Sequence, residues 1–462
     1  MQFSSVFAGK FLVEFVQFSV IIRPHLRMPI PHGGSDIPRT KRSNNRGTDP
    51  SPQAILNGEV HNWYRIVHGY SDHLVKNLID EFEIKKGDAV IDAFCGAGTT
   101  LVECMKHGID AVGIDANPAS CFSAKVKTNW SISGSRLRDL LDDVHKRQLL
   151  RLRSRDKYLS HPIYSYLDST GMLERGWISN QPLRKAIAIK SSIDSLPTSH
   201  AYKNALMLAL VAEVVDGASN IKFGPELYCS KKKRNANVYS GFGKRVLQMA
   251  DDLEAVAALK RGKVEVLNGD SRNCYDIVRS KITGRFSGAI CSPPYPTEHD
   301  YTRNARLELV FLGLVSDLHT LRTIKRAMIR SHTKNIYSGD DDKAFAKRNH
   351  GVKKIVSRLE RKTRNIDHGF GRLYPTVVSE YFGGMRRHLE SIHRLLKANA
   401  MCAYVVGDQS SYLRTYIPTA EILGALASRS GFKVVDIKHW RARRSSATSK
   451  EIDENILILR RS

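Results

Sequence analysis

The chain has 462 residues, 42% of them hydrophobic, so it is long enough for a large core with an added region. Lysine and arginine number 72 against 46 acidic residues, and the net charge of +26 favours a polyanionic partner, nucleic acid foremost. Seven cysteines without a CxxC pair argue against a disulfide framework and a zinc site. This cysteine usage fits a reducing cytoplasm, and we expect no bound metal.

Residues 1–56 are interpreted as an N-terminal extension and flexible linker. The apolar run Phe7–Ile22 is interrupted by a lysine and a glutamate, so it is too short and too charged to cross a bilayer. No small-residue cleavage site stands out, and no signal peptide is predicted. The stretch Arg39–Pro52 is polar and basic, as is typical of a linker, and Met28 is an alternative start of the chain. We expect no membrane attachment.

The stretch Asp88–Pro118 predicts a strand, a tight turn, a helix, a second strand and an acid in immediate succession. In order these are Ala89–Ala93, the glycines Gly96 and Gly98, a helix that opens at Thr99, Ala111–Ile114 and Asp115. Glycine permits the tight turn and lets a ligand approach the backbone. In such a βαβ unit the ligand lies at the carboxyl ends of the strands, where Asp115 can accept hydrogen bonds from two ribose hydroxyls.

The glycine pattern narrows the kind of ligand. A GxG without a third glycine does not fit the pyrophosphate-binding fingerprint, and the chain contains no GxxxxGK[ST] phosphate loop. A nucleoside without phosphates fits the pattern better. A glycine-rich turn in an unrelated α/β protein remains the alternative for this stretch alone.

A rigid turn follows the predicted strand Phe286–Cys291. It consists of Ser292, Pro293, Pro294 and Tyr295, and its successive prolines stiffen the backbone and remove two N–H donors. The turn presents a hydroxyl, carbonyl oxygens and an aromatic face. An ordinary strand-ending turn is the alternative, and the glycine motif earlier in the same chain weighs against it.

Together the two motifs resemble those of the amino-group DNA methyltransferases. DAFCGAGTT matches the form (D)xFxGxGT and SPPY matches [DNS]-P-P-[YFW], the serine form being most similar to the cytosine-N4 branch. The resemblance covers residues 57–130 and residue 263 to the C-terminus. It implies an α/β, Rossmann-like class I methyltransferase fold, with a mostly parallel seven-stranded sheet, helical inserts and a terminal antiparallel strand pair. It also implies S-adenosyl-L-methionine as the cofactor and DNA as the substrate.

The resemblance also implies roles for single residues. The catalytic residues are Ser292, Pro293, Pro294 and Tyr295. The cofactor-binding residues are Asp92, Phe94, Gly96, Gly98, Thr99, Asp115 and Asp270. Among these, Asp115 is expected to hold the ribose and Asp270 the adenine amine, while the glycine turn holds the amino-acid end. The aromatic residues between His61 and Tyr70 are expected to close over the methionine end.

Beyond the linker we divide the chain into five parts. These are a cofactor-binding half (57–130), a helical insert (131–262), a catalytic half (263–321), a basic insert (322–375) and the C-terminal part of the core (376–462). The basic insert is interpreted as a DNA-facing arm, with a solvated helical insert as the alternative. The predicted nucleic-acid contacts are Arg303, Lys353, Lys354 and Arg358.

Hydrophobic periodicity predicts the remaining core elements. Before the glycine motif, Leu74, Leu78, Ile79 and Phe82 form a helical apolar stripe. Later in the chain the predicted strands are Lys263–Leu267, Met401–Val406, Lys433–Ile437 and Asn455–Leu459, and the predicted helices are Tyr381–Leu396 and Ile417–Ser430.

The proline turn suits chemistry at an exocyclic base amine, which is a weak nucleophile because its lone pair is delocalised into the ring. Acceptors on its two hydrogens draw the nitrogen toward a tetrahedral shape, and Ser292 Oγ and the Pro293 carbonyl are suited to this task. Tyr295 offers a stacking face to a base flipped out of the duplex. Attack at C5 of cytosine needs a cysteine nucleophile after a proline; Cys291 precedes Ser292 and is interpreted as strand packing.

The favoured function is a site-specific DNA methyltransferase acting on N4 of cytosine, with N6 of adenine as the first alternative. A restriction–modification system in a bacterial or archaeal cytoplasm is the expected setting, with a cognate restriction endonuclease as a candidate partner. An RNA guanine-N2 methyltransferase is a second alternative, which serine in the proline turn disfavours. A non-catalytic nucleic-acid binder on the same fold is the third, which the intact Asp115, Asp270 and SPPY disfavour.

Overall fold

The computed structural model describes residues 59–64, 69–153, 156–223, 227–366, 369–444, 448 and 451–462. The extension and linker predicted for residues 1–56 lie outside the described residues, as does His68. The strands in the described part are β1 (Ala89–Asp92), β2 (Asp110–Asp115), β3 (Ile221–Phe223), β4 (Leu227–Cys229), β5 (Val264–Asn268), β6 (Phe286–Cys291), β7 (Leu396–Gly407), β8 (Phe432–Arg444) and β9 (Glu451–Arg461).

Seven of these strands form one sheet, in the order β5–β2–β1–β6–β7–β9–β8. The strands from β5 to β7 are parallel, whereas β9 runs antiparallel to both β7 and β8. The predicted Rossmann-like class I methyltransferase fold, with its terminal antiparallel pair, is thus confirmed. Because β1 and β6 are neighbours, with Ile91 opposite Ala289, the turns that follow them emerge side by side.

Helices surround the sheet. They are α1 (Asp72–Glu81), α2 (Thr99–Lys106), α3 (Pro118–Lys127), α4 (Gly134–Arg151), α5 (Asp156–Leu159), α6 (Pro162–Ser169), α7 (Asn180–Asp194), α8 (His200–Glu213), α9 (Val238–Ala255), α10 (Cys274–Arg279), α11 (Tyr301–Asn304), α12 (Arg306–Phe311), α13 (Leu318–Ala327), α14 (Lys343–Ala346), α15 (His350–Thr363), α16 (Tyr374–His393) and α17 (Thr419–Ser428). Consecutive residues of β1 show the two covered faces: Val90 shares a hydrophobic cluster with Leu78 of α1, and Ile91 shares another with Met385 of α16.

Predicted and observed bounds differ most at α16. The sequence predicts a helix from Tyr381, but α16 begins at Tyr374, with Pro375 in the first turn, where its missing N–H is not needed. Gly383 lies inside the helix. A glycine is needed there, because a Cβ would lie 1.8 Å from the carbonyl oxygen of Asp342. The last two strands are also longer than predicted, since β8 and β9 pair along their length.

The helical insert is joined to the core by apolar packing. Its residues Leu140, Leu206 and Phe242 share one hydrophobic cluster, here called the insert cluster, with Val126 of α3 and Phe311 of α12. The insert also contains the antiparallel pair β3–β4. The sequence does not predict this pair, because three residues are too few to show periodicity.

The basic insert also packs on the core. Val352 and Leu359 of α15 are buried in the cluster that contains α16. The buried Asp342 accepts hydrogen bonds from Nη1 of Arg272 at 2.5 Å and from Nη1 of Arg387 at 2.7 Å. These contacts fix the segment against the catalytic half of the core.

None of the described helices combines the length and the apolar character that a membrane span requires.

Candidate active site

A cavity of about 530 Å³ lies at the carboxyl ends of β1, β2 and β6. Its lining includes the glycine turn, the acid after β2 and the proline turn: Phe94–Ala97, Asp115–Asn117 and Ser292–Tyr295. This volume lies in the usual range for small-molecule and cofactor sites. The fold therefore brings together two motifs that are far apart in the chain.

The glycine turn depends on two left-handed residues. Gly96 has φ 50° and Gly98 has φ 87°, in a region that glycine enters without a steric penalty. A Cβ on Gly98 would also lie 3.1 Å from the Cβ of Ala124. Phe94, Gly96 and Thr99 line the cavity, and Thr99 begins α2. The N–H groups of this first turn, which have no partner within the helix, therefore lie beside the cavity.

Asp92 supports the backbone of the glycine turn. The side chain is fully buried, and its Oδ1 accepts the N–H of Phe94 at 3.0 Å while its Oδ2 accepts the hydroxyl of Tyr70 at 2.9 Å. Burial raises the pKa of Asp92 to about 6. The structure thus places Asp92 as a support of the turn rather than in the lining of the cavity.

Asp115 lies in the cavity lining at the end of β2. Its Oδ2 accepts the N–H of Gly96 at 2.9 Å and its Oδ1 accepts the N–H of Asn117 at 2.7 Å. Burial raises the pKa of Asp115 to about 6. Each oxygen has a further lone pair, so the carboxylate can also accept two hydroxyl groups from a ligand.

Asp270 is placed differently from the prediction. Its Oδ2 accepts from Nη2 of Arg272 at 2.6 Å, and its Oδ1 accepts the backbone N–H of Arg272 at 2.9 Å. Asp342 holds the same arginine from the other side. The Asp270 carboxylate is therefore engaged by Arg272. The neighbouring Ser271 lines the cavity, whereas Asp270 does not.

The proline turn is tied to the sheet and to α16. Ser292 Oγ donates a 3.3 Å hydrogen bond to the carbonyl of Val405 in β7. With its hydrogen used in this way, the oxygen retains lone pairs that can accept an N–H. The carbonyl of Pro294 accepts the hydroxyl of Tyr381 at 2.9 Å. Pro293 lies between these two tethers.

Tyr295 ends the turn and is held at both ends. Its N–H donates to the hydroxyl of Tyr301 at 3.1 Å, and its own hydroxyl donates to Oε1 of Glu454 at 2.8 Å. The guanidinium of Arg443 lies 5.7 Å from the ring centre. Gly407 leaves room for both groups, because a Cβ there would lie 3.0 Å from Cε2 of Tyr295 and 2.9 Å from Nη2 of Arg443.

Cys291 is a buried residue of β6, as predicted for strand packing. Burial raises the pKa of its thiol well above the ordinary value. The group is therefore a neutral thiol, which is unsuited to nucleophilic attack on a base.

The loop after the proline turn supplies a further wall. Asp300 and Tyr301 line the cavity, and Asp300 pairs with the ammonium of Lys325 at 2.6 Å. Although burial acts to raise the pKa of Asp300, the charge of Lys325 lowers it below its ordinary value. Arg303 is turned toward the insert, where its Nη2 donates to the carbonyl of Leu227 at 3.4 Å, so the structure does not bring it into the cavity lining.

Glu308 of α12 lines the cavity and is a residue that the sequence analysis missed. Its Oε1 accepts the hydroxyl of Tyr64 at 2.5 Å. Burial raises the pKa of Glu308 to about 7. The available signal was a lone acid inside the apolar run LELVFLGL, because acids are rarely buried without a partner.

Three potential metal ligands meet at the edge of the cavity. One donor atom from each of His61, Asp72 and Glu103 lies within 4.8 Å of the others. His61 Nε2 is 2.7 Å from Oε1 of Glu103, and the ammonium of Lys106 is 3.3 Å from the same oxygen. Lys106 thus gives Glu103 a cationic partner of its own.

The predicted nucleic-acid contacts of the basic insert lie on one helix. Lys353, Lys354 and Arg358 are exposed on α15, whereas Val352 and Leu359 of the same helix are buried. The three charges therefore point away from the core, where a polyanion can reach them.

The fold and the converging motifs are similar to those of class I S-adenosylmethionine-dependent methyltransferases. Residues 67–125 match the model of a family described as DNA methylase. Type II methyltransferase M.BsoBI of Geobacillus stearothermophilus is 22% identical over 461 residues, covering 89% of this chain and 86% of that protein. Type II methyltransferase M.AvaI of Anabaena variabilis is 23% identical over 410 residues, covering 83% and 81%. Type II methyltransferase M.MjaII of Methanocaldococcus jannaschii is 42% identical over 64 residues, covering 13% and 12%. The resemblance to amino-group DNA methyltransferases is thereby confirmed.

The site fits S-adenosyl-L-methionine, the cofactor that this resemblance implies. Asp115 offers acceptors for the ribose hydroxyls, and the left-handed turn at Gly96 and Gly98 leaves the backbone accessible to a ligand. The first turn of α2 offers N–H donors for the carboxylate of the amino-acid end. The cofactor supplies a methyl group bound to a positively charged sulfur.

Proposed function

We propose that the protein is a site-specific DNA methyltransferase acting on an exocyclic base amine, with N4 of cytosine as the favoured target. Ser292 carries the proposal, because its hydroxyl hydrogen is directed to Val405 and its oxygen remains an acceptor in the cofactor cavity. Serine at the first position of the turn is most similar to the cytosine-N4 branch. The relatives named Type II methyltransferases support a role in the modification half of a restriction–modification system.

The chemistry requires an amine whose lone pair is released from the ring. Ser292 Oγ and the Pro293 carbonyl accept its two hydrogens, and the tethers on either side of Pro293 keep these acceptors fixed. As the new N–C bond forms and the S–C bond breaks, the electron pair of that bond stays on sulfur. The amine then gives up one proton to water.

The proposal requires a target base outside the duplex. Flipping the nucleotide costs a few kcal/mol, which stacking on Tyr295 offsets in part. Lys353, Lys354 and Arg358 supply charges for the phosphate backbone. A bacterial or archaeal cytoplasm is the setting that the proposal implies, with a cognate restriction endonuclease as the candidate partner.

Product analysis tests this function. Cells expressing the full chain, or the Ser292→Ala variant as control, provide DNA and RNA for nucleoside mass spectrometry, and DNA for modification-sensitive sequencing. We expect N4-methylcytosine at one recurring sequence with the parent chain only. N6-methyladenine would retain the mechanism and change the base, and a methylated guanine found only in RNA would favour the RNA alternative. 5-Methylcytosine would overturn the mechanism, because neither Ser292 nor the Pro293 carbonyl can perform that reaction.

A further inference from the structure

The cavity contains a buried carboxylate oxygen that has no hydrogen-bond partner in the described part of the chain. Glu308 is 3% exposed and lines the cavity. Its Oε1 is bound by the hydroxyl of Tyr64, whereas its Oε2 is buried without a hydrogen-bond partner among the described residues. An unsatisfied buried acceptor destabilises the fold, and more so when it is charged. This oxygen therefore suits a ligand that brings an N–H or O–H donor.

The Tyr64 contact fixes the direction of the Glu308 carboxylate. Tyr64 is itself buried, and the ammonium of Lys127 binds its backbone carbonyl. The same ammonium binds the carbonyl of His61 at 2.9 Å. The charge of Lys127 is thus directed to backbone carbonyls, and the segment before α1 is anchored together with Glu308.

The position of Glu308 in the cavity indicates which donor it meets. Asp115 marks the ribose end of the cofactor, and the methyl group must face Ser292. The amino-acid end is then left for the part of the cavity lined by Ala97 and Thr99 at the start of α2. Tyr64, the partner of Glu308, lines the same cavity as Ala97. The N–H groups of α2 suit the carboxylate of this end, and its ammonium group needs an anion.

We propose that Oε2 of Glu308 binds the α-ammonium group of S-adenosylmethionine. An ammonium offers three N–H donors, and a charge-assisted hydrogen bond satisfies the buried oxygen. Tyr64 is a positioning residue that aims the carboxylate. The inference rests on the identity of the cofactor and is independent of which base is methylated. It also predicts that the site distinguishes the intact cofactor from adenosine fragments that have lost the amino acid.

Calorimetry on the full chain with two ligands tests the proposal. S-adenosylhomocysteine carries the ammonium group, whereas 5′-methylthioadenosine lacks the whole amino-acid end. Glu308→Gln is expected to weaken the affinity for S-adenosylhomocysteine by about 10- to 100-fold and to leave that for 5′-methylthioadenosine unchanged. Glu380→Gln is the control, because Glu380 is also a buried glutamate and lies outside the cavity lining. Its Oε1 makes no hydrogen bond among the described residues, and the ammonium of Lys343 lies 3.7 Å away. We expect this control to bind both ligands as the parent does.

Two results would overturn the proposal: an unchanged affinity for S-adenosylhomocysteine in Glu308→Gln, or equal losses for the two ligands. If circular dichroism shows that Glu308→Gln does not fold, the proposal is tested instead by ligand binding to the parent chain and to Tyr64→Phe. A deaminated analogue of S-adenosylhomocysteine should then bind the parent about 10- to 100-fold more weakly, and this difference should shrink in Tyr64→Phe. Equal binding of the analogue by the parent, or an undiminished difference in Tyr64→Phe, overturns the assignment. These affinities are measured without DNA, so they stand apart from the product analysis.

Discussion

The hydroxyl of Tyr295 donates a 2.8 Å hydrogen bond to Oε1 of Glu454, which ties the end of the catalytic turn to β9. The hydroxyl of Tyr295 thus fixes the turn, and the proposed function gives its ring a separate task, stacking on the target base. This separation can be measured with two variants.

Tyr295→Ala removes the stacking face and should weaken the binding of target DNA by about 1–3 kcal/mol. Tyr295→Phe keeps the ring and loses the hydroxyl with its bond to Glu454, so it should bind DNA nearly as the parent does and lose about 1 kcal/mol of unfolding free energy. DNA titration and thermal unfolding check both values. A Phe variant as impaired in DNA binding as the Ala variant would show that the hydroxyl, not the ring, is what matters.

Ser292→Ala removes one of the two acceptors on the target amine. Methyl transfer should slow by roughly 100-fold or more, because an acceptor aimed at the reacting group is lost. Cofactor affinity should stay nearly intact, because the cofactor is expected to be held by other residues. Single-turnover transfer of a labelled methyl group gives the rate, and calorimetry gives the affinity. Comparable losses in both would place Ser292 in cofactor binding instead.

The raised pKa of Asp115 predicts that nucleoside binding depends on pH. Its pKa is raised to about 6 by burial, and hydroxyl donors prefer the ionised form, so affinity should fall as the pH drops through 6. By pH 5 the loss should be about tenfold. 5′-Methylthioadenosine is the ligand of choice, because it keeps the ribose and lacks the group assigned to Glu308.

The control for this pH dependence must separate Asp115 from Asp92, whose pKa is also raised to about 6 by burial. Asp115→Asn should bind 5′-methylthioadenosine with nearly constant affinity from pH 5 to pH 8, and more weakly than the parent at neutral pH. Asp115→Ala should lose roughly 2–3 kcal/mol of binding free energy. A parental pH profile in Asp115→Asn would assign the titration to another group.

Gly407→Ala should slow methyl transfer although residue 407 is outside the proline turn. The added methyl group would lie 3.0 Å from Cε2 of Tyr295 and 2.9 Å from Nη2 of Arg443, so both groups must shift. A loss of about 1–3 kcal/mol of stability is expected from such overpacking. Gly424→Ala is the control, because a Cβ there meets its nearest atoms at 3.4 and 3.5 Å inside a helix. If Gly407→Ala transferred methyl groups at the parental rate, the ring of Tyr295 would tolerate displacement.

The exposed face of α15 predicts a change in salt dependence. Replacing Lys353, Lys354 and Arg358 by Gln should weaken DNA binding for every sequence, and the slope of log affinity against log salt should fall by about 0.9 per lost phosphate contact. A matched control replaces Lys85, Lys86 and Lys281 by Gln. These lysines are exposed and precede β1 and β6, so they lie at the amino ends of the strands, opposite the cavity. This control should retain the parental slope. A parental slope in the α15 triple would mean that those charges face solvent in the complex.

The parts of the site that sequence reasoning predicted are those fixed by local pattern. The glycine turn and the proline turn each follow a short apolar strand, and parallel pairing then sets them side by side. Asp270 differs because its carboxylate is taken up by Arg272, which is held in turn by Asp342, 70 residues further along the chain. Glu308 was missed for the same reason, since only the folded chain brings it to Tyr64. Such long-range polar pairs leave no periodic trace in a sequence.

Gly383 is a similar case in the fold. A glycine pair inside a helix is ordinarily unfavourable, by about 1 kcal/mol per glycine relative to alanine. Here it marks the close approach of the Asp342 carbonyl to α16. The contact lies between segments that only tertiary structure brings together, so the sequence alone could not show why the helix continues through the pair.

The insert cluster makes the helical insert and the catalytic half of the core hard to separate by chain exchange. Because side chains of the helical insert interdigitate with α12, which carries Glu308, a chimera that imports this region from a relative would replace half of a shared interior. Mismatched halves of a packed interior cost several kcal/mol through cavities or overpacking. Substitutions at exposed positions of the helical insert should therefore be tolerated better than exchange of the whole region as a cassette.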